Sequence, residues 1–191
     1  KFVEAFVKAY PQIEVKIHNV TGQAGLALLR DGEVDFCVGP LLEVPDDIDF
    51  HPIVSYEPLL ITALDHPLAK RKRVTLTDIS KYPLILPPRE LSTWRIVESE
   101  FTKHGLPHNV KLEVGGWEVI KTYVELGMGV GIVAQMAYDP ARDTQFDMLD
   151  ATHLFAPSTT RLGLRHGVFL RAYVYAFITL FAPQYGRSAI E

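Results

Sequence analysis

Apolar residues recur along this chain in two periods, taken by turns, and that alternation limits the fold more than any other feature. Phe2, Phe6 and Tyr10 fall at helical spacing, and Pro11 ends the run. Val15 and Ile17 then alternate with Lys16 and His18, which is the period of a strand. Residues 22–31 return to the helical period with Ala24, Leu28 and Leu29 inward, and Gly32 follows as a left-handed stop. Residues 34–39 form a short apolar run, read as a strand. Strand, helix, strand at this spacing predicts parallel pairing through a helical crossover.

The same alternation continues to the end of the chain. The proline-rich, acidic stretch 40–49 reads as a loop and residues 58–64 as an apolar strand. A turn at Asp65-His66-Pro67-Leu68 leads to a short helix begun within residues 75–79, capped by Thr75 or Thr77. Leu84, Ile85 and Leu86 make a strand that Pro87 and Pro88 halt. Trp94, Val97 and Phe101 mark one face of a helix ending near Gly105. Val110, Leu112 and Val114 alternate as a strand, and residues 117–126 are helical with Ile120, Tyr123 and Val124 apolar. Strands follow at 130–134 and 161–165, and Tyr173, Val174, Phe177, Ile178 and Phe181 line a closing helix before Pro183. Helices alternating with strands throughout place the chain in the α/β class. No Gly/Ser linker divides it, so in a two-lobed molecule the strands themselves must cross between lobes.

Composition narrows the function. The 191 residues, 48% apolar, suffice to bury one core or two small ones. Nineteen Lys and Arg against 23 Asp and Glu leave a net charge of -4, which argues against gripping nucleic acid by bulk charge. The basic run at residues 69–73 is either a solvated loop or a DNA patch. No apolar run reaches the roughly 18 residues a membrane span needs. With no signal peptide and a single cysteine, Cys37, the expected compartment is the cytoplasm. Lys1 opens inside a helical pattern without methionine, so the chain is expected to be a piece of a longer one.

Chemistry-bearing sets are sparse. Cys37 lies in an apolar strand and reads as a packed thiol rather than a nucleophile. The seven histidines show no metal-binding spacing, and Asp46, Asp47 and Asp49 lack the glycine and terminal glutamate of a calcium loop. No catalytic set, metal site or cofactor is expected. Gly127, Gly129 and Gly131 resemble a phosphate loop, but a helix precedes them and a strand follows. A dinucleotide fingerprint needs the reverse order, with a helix N-terminus facing the pyrophosphate. Ser92 and Thr93 sit just before a helix, where a hydroxyl either caps free backbone amides or helps them hold a small anion.

Four stretches taken together carry a family resemblance. They are residues 119–133 (VIKTYVELGMGVGIV), Asp65-His66-Pro67-Leu68-Ala69, residues 29–36 (LRDGEVDF) and Tyr82-Pro83-Leu84-Ile85. In register and in order, they resemble the effector-binding domain of LysR-type transcriptional regulators. Ala137-Tyr138-Asp139-Pro140, Ser158-Thr159-Thr160 and residues 169–173 (FLRAY) resemble the CysB branch, the regulators of sulfur assimilation. Pro40 stands where that branch carries an anion-binding threonine, and the stretch 87–94 differs from the branch's aromatic-rich segment.

The resemblance implies a two-lobed, type 2 periplasmic-binding-protein-like α/β fold with two hinge crossings, near residues 55–58 and 160–163. Lobe one would hold residues 1–55 and 163–191, lacking its first strand, and lobe two residues 56–162. An effector bound between lobes would select a closure state. It implies effector contacts from Ser92 and Thr93, Gly116 and Trp117, Val130 and Gly131, Thr21 and Gly22, and Thr160. Trp117 would stack on the ligand or anchor its own helix. Implied partners are sulfate, thiosulfate, O-acetylserine or a similar small molecule; DNA through an N-terminal winged helix-turn-helix outside this chain; further copies in a dimer or tetramer; and RNA polymerase. No membrane is implied. The alternative is a periplasmic solute-binding protein for uptake, which shares the fold.

Overall fold

A computed structural model describes residues 1–40 and 45–190. They form two compact units, the first holding residues 1–39, 45–53 and 161–190 and the second Pro40 and residues 54–160. No helix among the described residues is long and apolar enough to cross a membrane.

Unit 1 begins with α1 (Phe2–Ala9) and α2 (Gly22–Asp31). Thr21 caps α2, its hydroxyl accepting from the Ala24 amide at 3.4 Å, and Gly32 ends it at φ 74°. Then come β1 (Cys37–Pro40), the long β2 (Ile48–Tyr56), the returning β8 (Ser158–Arg165), α6 (Ala172–Phe181) and the short α7 (Arg187–Ile190). The three strands order as β1-β8-β2. Leu162 and Leu164 of β8 face Val174 and Ile178 of α6 in one apolar cluster. Phe6 carries α1 onto α6, its ring 4.8 Å from that of Phe177. Cys37 is half-buried, and burial pushes its thiol above the ordinary range, as a packed thiol requires.

Unit 2 is a five-stranded sheet in the order β5-β4-β6-β3-β7. Its strands are β3 (Pro58–Ala63), β4 (Leu84–Leu86), β5 (Val110–Glu113), β6 (Val130–Ala134) and β7 (Phe146–Asp150). β4 runs parallel to β5 and β6, while β3 is antiparallel to β6 and β7. Successive strand residues point to opposite faces, so each strand feeds two cores. Leu60, Leu84, Leu86 and Ile132 join Trp94, Val97 and Phe101 of α4 (Ser92–Lys103), with Leu76 and Ile79 of α3 (Leu76–Ile79) beyond. Leu59, Ile61, Ile85 and Val133 meet Ile120 and Val124 of α5 (Trp117–Glu125). A sheet covered on both faces needs strands apolar throughout, and all of β3, β4 and β6 is buried.

Several sequence expectations are corrected. Residues 14–18 form no strand, and Ile17 is 71% exposed; their alternation meets no partner ladder among the described residues. The strand–helix–strand crossover around α2 is therefore not formed. The expected strand at 34–39 starts only at Cys37. The expected loop 40–49 contributes Pro40 to β1 and its last two residues to β2; residues 41–44 lie outside the described residues.

The glycine triplet is structural at each of its positions. Gly127 follows α5 at φ 69°, a left-handed position that side chains avoid. At Gly129 an added Cβ would overlap the Pro83 carbonyl oxygen, which accepts the Val130 amide at 2.9 Å. At Gly131 it would stand 2.9 Å from Ile120 and 3.0 Å from Ile61. The triplet thus lets a strand lie close under a helix and beside the Pro83 carbonyl.

Candidate functional site

A small recess in unit 2 opens beside the start of α4, with an interior of about 10 Å³. Thr93, Ile96 and Val97 wall it from α4, and Ile132, Val133 and Ala134 from the end of β6. Tyr56 and Pro58 enter between β2 and β3, and Phe155, Ala156 and Ser158 at the start of β8. No lining residue carries a charge.

The local chain explains this geometry. Pro87 and Pro88 halt β4, Leu91 turns onto the Pro88 carbonyl at 2.9 Å, and α4 starts at once. Its N-cap is Leu91, with no side chain capping it, so neither Ser92 nor Thr93 is the capping hydroxyl expected from sequence. Both lie inside the first turn, only 8% and 9% exposed. First-turn amides have no carbonyl acceptor within their helix and carry the positive end of its dipole. Ser92 Oγ lies 3.3 Å from Ser158 Oγ, across 66 residues of sequence. The Thr93 hydroxyl makes no side-chain hydrogen bond among the described residues. One strand-step on, Ser55 and Thr159 hydroxyls meet at 2.8 Å. Below Trp94, the Arg89 guanidinium stacks 4.8 Å from the indole, held by Glu113 at 3.6 Å. The arrangement therefore offers amide and hydroxyl donors in a largely apolar wall, with Arg89 the nearby cation, outside the residues that line the recess.

The remaining predicted residues are placed as follows. Gly116 is the N-cap of α5, at φ 86°. Trp117, the first residue of α5, is half-buried against the core of Ile61 and Ile120. Val130 is wholly buried beside Leu84 and Trp94, and Gly131 packs under α5. None of these four lines the cavity, nor does Thr160, which is half-buried in β8. Thr21 and Gly22 belong to unit 1, at the start of α2. Sequence reasoning missed Tyr56, because Pro52 hid the strand that carries it; it took Ser158 for a loop or hinge hydroxyl, where the structure puts it at the start of a strand.

Below the sheet, α5 is tied to the segment after β6. Lys121 Nζ donates to Asp143 at 3.0 and 3.1 Å, to the Ala137 carbonyl at 3.1 Å and to Glu118 at 2.7 Å. Burial pulls the Lys121 amine down, yet Glu118 and Asp143 bring it above its ordinary value. Burial pushes the Asp143 carboxyl up, and the Asp139 amide with Lys121 outweighs that, leaving it below the ordinary range. This pair fixes the exit of β6, the strand whose end walls the cavity.

Residues 1–185 match the LysR substrate binding domain family, and the chain belongs to it. Its architecture is the two-lobed, type 2 periplasmic-binding-protein-like α/β fold of those effector-binding domains. Among particular proteins, it is 38% identical to the transcriptional regulator SsuR of Burkholderia cenocepacia over 100% of the chain and 62% of the relative. It is 36% identical to the regulator CysB of Haemophilus influenzae over 99% of the chain and 58% of the relative. The crystal structure of the cofactor-binding domain of the Cbl transcriptional regulator superposes with TM-score 0.87 at 29% identity, covering 99% of this chain and 83% of that one. The chain thus spans about three fifths of the length of the curated relatives it matches, 62% and 58%.

Proposed function

We propose that unit 2 captures a small anionic or sulfur-related effector at the start of α4, and that capture modulates DNA binding and transcription by the whole protein. The observation that carries this reading is the Thr93 hydroxyl, which no side chain engages among the described residues, beside first-turn amides and the Ser92–Ser158 pair. Such donors stabilise an anion. Sulfate, thiosulfate and O-acetylserine are the first candidates. Signalling would run through β2 and β8, whose residues belong to both units. The relatives are named as transcriptional regulators, which favours a cytoplasmic regulator over an uptake protein. For the whole protein we infer DNA contact through a helix-turn-helix, self-association as a dimer or tetramer, and contact with RNA polymerase.

The test is a thermal melt of the chain with each candidate in excess. A ligand at about 100 times its dissociation constant stabilises by about 2.7 kcal/mol. The expected result is a raised melting temperature with at least one sulfur-related candidate, lost in Thr93→Val. A shift with benzoate and none with sulfate, thiosulfate or O-acetylserine would reject the sulfur assignment.

A further inference from the structure

The basic run Lys70-Arg71-Lys72-Arg73 stands out from unit 2 on an anchored turn. Leu68 and Val74, both buried, hold its two ends in the core. The Leu68 carbonyl accepts the Arg71 amide at 2.9 Å, and the Val74 carbonyl meets His153 Nε2 at 2.8 Å. All four residues between those anchors are exposed. Arg71 donates to Asp78 at 3.0 Å, and Lys81 approaches the same carboxylate at 3.7 Å, which brings Lys81 beside the turn. Lys70 and Lys72 make no ion pair among the described residues. From residue 66 to residue 81 five cations thus stand against one carboxylate, in a chain whose net charge is -4. Asp150 is the neighbouring acid, lowered first by the Thr152 amide and more weakly by His153 and Arg73.

A protein partner draws most of its binding from aromatic or apolar anchors set among the charges. Here the large apolar residues of 66–81, Leu68, Val74, Leu76 and Ile79, are all buried. The phosphate backbone of DNA asks for cations alone, because released counterions supply the binding free energy. We infer that the turn 70–73, with Lys81 beside it, is a sequence-independent contact for the phosphate backbone of DNA. Lys70 and Lys72 carry the contact, since they reach a phosphate without breaking an ion pair. Arg71, Arg73 and Lys81 raise the local potential while remaining near their carboxylates. The overall negative charge does not oppose this, as exposed charges farther than about 10 Å are screened at 0.1 M salt. The contact is additional to that of a helix-turn-helix and stands independently of the effector seat on α4.

Fluorescence anisotropy of a labelled, mixed-sequence DNA duplex, titrated with the chain over a series of salt concentrations, tests this. Each phosphate neutralised on B-DNA steepens the fall of log affinity with log salt by about 0.9. Lys70→Gln/Lys72→Gln is therefore expected to make that slope shallower by about 2. Lys8→Gln/Lys16→Gln, an equal charge change on exposed lysines of unit 1, leaves the slope as it was. A duplex of unrelated sequence binds the unsubstituted chain equally well. Tryptophan-monitored melting confirms that both variants are folded. No duplex binding at low salt, or the same slope change from both double variants, overturns the inference. Capture of poly-glutamate at these lysines without capture of the duplex also overturns it, and assigns the turn to an acidic protein.

Discussion

Replacing Gly129 by alanine is expected to be the most damaging change in the glycine triplet, although its backbone angles suit any residue. The added methyl would overlap the Pro83 carbonyl oxygen and stand 3.1 Å from its carbon. Pro83 is backbone at the entrance to β4 and cannot rotate away. The strands must part, and the Val130 amide loses its 2.9 Å bond to Pro83. Overpacking in a well-filled core costs about 1–3 kcal/mol. A buried amide left without an acceptor costs about 1–3 kcal/mol more. The combined loss, about 2–6 kcal/mol, is a large part of the roughly 5–15 kcal/mol that holds an ordinary domain together. Gly127→Ala meets open space and suffers only the left-handed backbone penalty, about 1–2 kcal/mol. Gly131→Ala presses on side-chain methyls that can shift, about 1–3 kcal/mol. The chain's two tryptophans, Trp94 and Trp117, both lie in unit 2, so the urea dependence of their fluorescence reports this unit. A midpoint shift for Gly129→Ala no larger than that for Gly127→Ala would refute the close-approach reasoning.

Further outcomes follow from the same geometry. Lys121→Met leaves Asp143 buried with the Asp139 amide as its remaining close donor, and is expected to cost about 3–5 kcal/mol; Lys121→Met/Asp143→Leu should recover much of that in a double-mutant cycle. Thr75→Ala removes the capping box of α3, in which Thr75 Oγ1 accepts from the Asp78 amide at 3.1 Å, and should lower the urea transition by about 0.5–2 kcal/mol. Acid should weaken unit 2. The Thr75 hydroxyl holds Asp78 below the ordinary carboxylate range, the Thr152 amide does so for Asp150, and Asp143 is lowered as well. Groups with depressed folded values contribute stability that is present above the unfolded value of about 3.9 and lost as pH falls through the folded one. Urea midpoints should therefore drop progressively below about pH 5, and less steeply in Thr75→Ala. A midpoint flat down to about pH 3 would contradict that linkage.

Much of the fold was legible because its signals are local. Gly32 after α2, a threonine cap on α3 read as Thr75 or Thr77 and found at Thr75, and the apolar runs of β3, β4 and β6 each act within a few residues. What was missed depends on distant partners. β2 contains Pro52, which reads as a strand breaker but is tolerated because β2 lies at a sheet edge. β7 is likewise an edge strand, and its aspartates Asp147 and Asp150 masked its alternation. Residues 14–18 show the converse: a correct period without a neighbouring strand makes no ladder. At the start of α4, the family resemblance pointed to Ser92 and Thr93, while the meeting of Ser92 with Ser158, and of Thr93 with Tyr56 around one recess, was not legible. That meeting depends on the β2–β3 turn and the start of β8 reaching α4, a tertiary contact with no local signature.

Backbone amide chemical shifts test the effector seat most directly. With the ligand among sulfate, thiosulfate and O-acetylserine that most raises the melting temperature, the largest saturable changes should fall on the amides of Ser92, Thr93 and Trp94. Saturable changes confined to the start of α2 around Thr21, with residues 92–94 unmoved, would contradict the seat on α4.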